Sequence, residues 1–116
     1  MRILVIEDEI DIREMIRRFL KSEDSGVEII DAANGMQGVR HIAGSPPDAV
    51  LLDMLMPDMD GWEFLQIMDA MELRLPIVIL TAVQRENAAL TGILTTYPNV
   101  LAIENKPLSL DDMTRI

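Results

Sequence analysis

Five short apolar runs punctuate the chain: Ile3–Ile6, Val27–Ile30, Ala49–Leu52, Ile77–Leu80 and Val100–Ile103. They are rich in branched aliphatic residues and have the length of strands. The first, third and fourth are continuous rather than alternating. That pattern predicts strands buried on both faces of a parallel sheet. A parallel neighbour cannot be reached by a hairpin, so each pair needs a crossover long enough to hold a helix.

The intervening segments carry helical spacing. Ile12, Ile16, Phe19 and Leu20 form one apolar stripe, with Asp11 and Glu14 placed for an N-terminal cap. Met36, Val39 and Ile42 predict a second helix, and Phe64, Leu65, Met68 and Met71 a third. Gln84–Thr96 predicts a fourth, weakened by Gly92, and Ser109 with Asp112 the capped start of a fifth. Strand alternating with helix five times implies an α/β, doubly wound (βα)5 fold: one parallel sheet with helices on both faces. The 116 residues suit a single domain spanning 1–116. Its last helix would be cut short at Ile116, since eight residues from Ser109 span only about 12 Å.

Charge and composition narrow the function. With 20 acidic and 10 basic residues the net charge is −10, which argues against direct contact with a nucleic acid backbone. There is no cysteine, so neither a disulfide framework nor a thiolate metal site is expected. Arg2 and the short run after it, followed at once by acids, resemble neither a signal peptide nor a membrane span. A cytoplasmic location is the expectation.

Where the acids sit is more informative than their number. The first apolar run leads into Glu7-Asp8-Glu9, the third into Asp53, the fourth into Thr81, and the fifth ends near Lys106-Pro107. In a parallel sheet these carboxyl ends share one edge, where such folds bind their ligands. Any one of these residues alone suggests a turn or a cap. Together they predict a cleft holding Glu7, Asp8, Asp53, Thr81 and Lys106. Gathered carboxylates repel one another and call for a compensating cation, and an all-oxygen set suits Mg2+. A carboxylate beside such an ion, an ammonium and a hydroxyl is suited to attack phosphorus.

Along essentially its whole length the sequence resembles the receiver domain of bacterial response regulators. The matching strings are Ile3-Leu4-Val5-Ile6-Glu7-Asp8-Glu9, Leu51-Leu52-Asp53-Met54-Leu55-Met56-Pro57-Asp58-Met59-Asp60-Gly61, Leu80-Thr81-Ala82 and Lys106-Pro107. The spacings of 45 residues from Asp8 to Asp53 and 28 from Asp53 to Thr81 also agree. The resemblance implies a strand order of 2-1-3-4-5 and a phospho-accepting signalling switch that is not a turnover enzyme. It makes Asp53 the acceptor, with Thr81 and Lys106 contacting the phosphoryl group. Asp8 would hold Mg2+ directly and Glu7 through water, joined by Asp53 and the main-chain carbonyl of Leu55. The donor would be a sensor histidine kinase or a histidine phosphotransfer protein, and the output would leave by the fourth-helix and fifth-strand face. A homodimer formed on phosphorylation is among the partners the resemblance allows; nucleic acid and membrane are not.

The sequence departs from the family pattern in two ways. Ile103 stands where the family usually has Tyr or Phe, and the 25 residues from Thr81 to Lys106 exceed the usual interval, with the excess around Thr95–Asn99. An alternative is a pseudo-receiver that binds proteins without being phosphorylated. A hydrolase of the haloacid dehalogenase type would place a second Asp two residues after the first, where this chain has Leu55. His41 is expected on the surface, Trp62 at a partly exposed helix start, and most of the nine methionines in core and loops. Asp58 and Asp60 are expected to shape a turn with Gly61 rather than to bind metal.

Overall fold

The computed structural model describes residues 1–56, 58–82 and 88–105. Five strands form one parallel sheet: β1 (Arg2–Ile6), β2 (Glu28–Ala32), β3 (Ala49–Asp53), β4 (Ile77–Thr81) and β5 (Val100–Asn105). Their order is β2-β1-β3-β4-β5, the order the resemblance implies. Four helices connect them: α1 (Ile10–Glu23), α2 (Gly35–Gly44), α3 (Gly61–Ala70) and α4 (Ala88–Thr96). The fifth helix expected from Ser109, its truncation at Ile116 and the start of the fourth at Gln84 lie outside the described residues.

Alternate residues of each apolar run serve opposite faces of the sheet. Leu4 and Ile6, Val50 and Leu52, and Ile77 and Ile79 pack with Ile42, Phe64, Leu65, Met68, Leu90 and Ile93 from α2, α3 and α4. Val5, Ile29, Leu80 and Leu51 pack instead with Ile12, Ile16, Phe19 and Leu20 of α1. Full burial of each such side chain contributes about 1.5–3 kcal/mol, so both layers are needed.

Several boundaries differ from the expectation. β2 starts one residue later and runs two further, through Asp31. An acid is tolerated there because β2 is an edge strand and Arg17 of α1 forms an ion pair with Asp31. Neither Asp11 nor Glu14 caps α1: Glu9 is at the cap position, with no side-chain cap bond, and Asp11 lies in the first turn. Asn34 and Asp60 do cap, accepting from the amides of Gln37 and Glu63 at 2.9 Å. Met36 and Met71, assigned to apolar stripes, are exposed, while Met54, Met56, Met59 and Met68 are buried.

The extra length before β5 is partly absorbed inside the strand. Ile77 pairs with Val100, but Val78 pairs with Ala102, so Leu101 is bulged out of register. Its side chain is exposed, and Val100 and Ile103, three residues apart, both reach the same core. In an unbulged strand they would face opposite ways.

Candidate functional site

In this strand order the chain reverses direction between β1 and β3, and a crevice opens beyond their carboxyl ends. Glu7 and Asp8 follow β1 directly, and Asp53 is the last residue of β3. Glu7, Asp8 and Asp53 each turn a carboxylate oxygen into this crevice, and the three oxygens lie within 4.8 Å of one another. Glu7 and Asp53 are almost fully buried, with 1% and 2% exposure, whereas Asp8 is exposed. Carboxylates so close and so shielded need a counter-charge. Their oxygen-only donor set fits a hard divalent cation such as Mg2+.

The β1 end is tied down on several sides. The Glu7 amide donates to the Ala32 carbonyl at 3.0 Å, continuing the β1–β2 pairing by one rung. Its carboxylate accepts from the Glu9 amide at 3.2 Å, and its carbonyl accepts from the Arg13 guanidinium at 2.7 Å. No motif in the sequence points to Arg13. Its position, one turn after Glu9, is the one cue that a side chain could fold back on the acidic loop.

The β3 end is shaped by close packing. Leu55 donates its amide to Asp53 Oδ1 at 3.2 Å, and its side chain is half exposed. The Gly61 amide donates to the Met54 carbonyl at 2.9 Å, closing the loop after Asp53. A Cβ at Gly61 would stand 2.7 Å from Met54 Cα and 3.1 Å from the Asp53 carbonyl oxygen, so only glycine fits. Asp58 adopts φ 71°, a left-handed conformation that Asp accepts more readily than most residues, and Asp60 caps α3. These two acids shape the turn, as expected, and among the described residues the acidic group does not include them.

Thr81 ends β4, is completely buried, and lies one step beyond Leu80, the partner of Asp53. Ala82 after it is exposed. Asn105, the last residue of β5, is the partner of Thr81. Lys106 and Pro107 follow it in sequence but lie outside the described residues. The structure therefore brings Glu7, Asp8, Asp53 and Thr81 to one edge of the sheet. His41 is exposed and Trp62 partly so, as the sequence suggested.

Comparison with known proteins bears on the family and the fold. Residues 3–115 match the family model described as the response regulator receiver domain. The response regulator MprA of Mycobacterium avium is 34% identical over 113 residues, covering 97% of this chain and 47% of that protein. The chain thus spans about half the length of the curated relatives it matches. A CheY-like receiver domain protein from Methanospirillum hungatei superposes with a TM-score of 0.78 at 29% identity, covering 98% of this chain and 88% of that one. The response regulator TrrA from Thermotoga maritima, solved in complex with Mg(2+)-BeF, superposes with a TM-score of 0.79 at 28% identity, covering 98% and 93%.

Proposed function

This chain belongs to the response regulator receiver domain family of two-component systems, and we propose that it is a signalling switch whose phospho-acceptor is Asp53. The observation that carries the reading is the buried Asp53 carboxylate at the switch point, gathered with Glu7 and Asp8. A sensor histidine kinase or histidine phosphotransfer protein would present a phosphohistidine. A carboxylate oxygen of Asp53 attacks its phosphorus. The new P–O bond forms as the P–N bond breaks, and the departing imidazole nitrogen keeps the electron pair.

Glu7, Asp8 and Asp53, with the main-chain carbonyl of Leu55, would hold Mg2+, as the Mg(2+)-BeF complex of TrrA suggests by analogy. Bound there, the ion supplies positive charge against the oxygens of the incoming group. The Thr81 hydroxyl donates to one of those oxygens, and Lys106 pairs with another. Ala82, small and exposed, leaves the approach open to the donor's imidazole.

Asp53 is phosphorylated, and its acyl phosphate is slowly hydrolysed to the free carboxylate and inorganic phosphate, so the domain acts as a switch rather than as a turnover enzyme. A group of charge about −2 draws Thr81 and its loop inward and biases an existing two-state equilibrium. Ile103 is already buried in the core, so the change runs through Thr81 and the segment after it, not through an aromatic ring. The family membership supports a cytoplasmic location.

The test is phosphotransfer from acetyl phosphate, with and without Mg2+. One phosphoryl group should be added only when Mg2+ is present, and none to Asp53→Asn. Labelling that survives in Asp53→Asn would refute the assignment. A wild type that stays unlabelled would favour a binding module that works without phosphate.

A further inference from the structure

We infer that Arg13 is a positioning residue for the acidic site, holding the Glu7–Asp8 peptide so that both carboxylates face the crevice. The inference rests on the metal-binding reading above. Glu9 occupies the cap position of α1 without a side-chain cap bond. The turn from β1 into α1 is held by other contacts instead. Glu7 Oε1 accepts from the Glu9 amide at 3.2 Å, and the Arg13 guanidinium reaches back six residues to the Glu7 carbonyl at 2.7 Å. The backbone of Arg13 is itself fixed, its amide donating to the Glu9 carbonyl at 3.1 Å.

The Glu7 carbonyl belongs to the planar peptide unit that also contains the Asp8 amide. With the Glu7 amide held by Ala32 and its carbonyl by Arg13, the planes on both sides of Glu7 are set. The direction in which the Glu7 side chain leaves the backbone follows from those planes, and the Glu9 amide, bonded to Glu7 Oε1, holds the next plane and so the direction of Asp8. The bond is charge-assisted and partly buried, so it is stronger than a neutral bond in water.

Positioning and charge make opposite predictions for cation binding. If Arg13 acted only as a nearby positive charge, removing it would strengthen Mg2+ binding, because one repulsion is lost. If it holds the ligands in place, removing it weakens binding by about tenfold, the usual effect of losing a side chain that supports a metal ligand. Arg13→Lys keeps the charge but loses the planar fork, and should fall between wild type and Arg13→Ala.

The experiment is Mg2+ titration of the unphosphorylated protein at constant ionic strength, followed calorimetrically for wild type, Arg13→Ala, Arg13→Lys and Asp8→Ala. Thermal unfolding in chelator checks that each variant is folded. The expected order of affinity is wild type, Arg13→Lys, Arg13→Ala, then Asp8→Ala. Equal or tighter binding by a folded Arg13→Ala would overturn the inference alone. Should Arg13→Ala not fold, Arg13→Lys binding as tightly as wild type would do the same. A wild type that binds no Mg2+ would overturn the metal reading and this inference with it.

Discussion

On one flank of the sheet, α1 is tied to its surroundings by three cations spaced one helical turn apart. Arg13 reaches the Glu7 carbonyl, Arg17 pairs with Asp31 of β2, and Lys21 donates to the Val27 carbonyl. On the other flank, α4 has no charged residue between Ala88 and Thr96 and contains Gly92, beside which a Cβ would meet nothing within 4 Å among the described residues. It packs on an edge strand with a bulge at Leu101. The first flank carries two of the three clustered acids; the second carries the face through which this reading sends its signal. A site that must orient several ligands at once belongs on stiff elements, and a segment that must move belongs where local stability is low.

This contrast can be broken first at the metal ligands. Asp8→Ala should weaken Mg2+ binding by more than about a hundredfold, and Glu7→Ala by about tenfold, the scale of a lost supporting contact. Calorimetric titration separates the two. Equal losses would contradict the division into a direct ligand and a ligand acting through water.

The two glycines give the next largest effects, and of opposite sign. Gly61→Ala drives a methyl into the backbone at Met54 and Asp53, and should destabilise by about 1–3 kcal/mol in urea unfolding. Gly92→Ala adds a methyl that meets no atom of the described residues within 4 Å, in a helix interior, and should stabilise by about 1 kcal/mol. A destabilised Gly92→Ala would mean that α4 is already closely packed, and the contrast between the flanks would fail.

Much of this arrangement is legible in the sequence, for definite reasons. A continuous apolar run has few alternatives to a buried strand, and a polar residue at its end can only face the sheet's edge. That is why the sequence puts Asp53 and Thr81 at strand ends; in the structure each is the last residue of its strand rather than the first after it. The hidden features depend on contacts between distant residues. Asp31 masked the true extent of β2, because its charge is offset by Arg17 from another element. The bulge at Leu101 left no local mark, and the bond from Arg13 back to the Glu7 carbonyl follows no capping rule, since a cap side chain accepts from the free helix amides whereas a guanidinium only donates.

The smallest effect is expected from Arg17→Ala. The pair with Asp31 is about one-third exposed, so its loss should cost about 0.5–1 kcal/mol, shrinking at high salt as the interaction is screened. Asp31 Oδ1 is buried and has no hydrogen-bond partner among the described residues, so the substitution leaves that carboxylate worse supported still. Unfolding at low and high salt measures both contributions. A loss independent of salt would assign the residue's value to packing of its stem instead.

The measurement that bears most directly on the whole account is the location of the phosphoryl group. Borohydride reduces an acyl phosphate to the alcohol, so reduction after treatment with acetyl phosphate and Mg2+, followed by peptide sequencing by mass spectrometry, marks the modified carboxylate. The account predicts a single homoserine at position 53, and no reduced side chain at Glu7 or Asp8. Reduction product at Asp8, or at any residue other than Asp53, would contradict it.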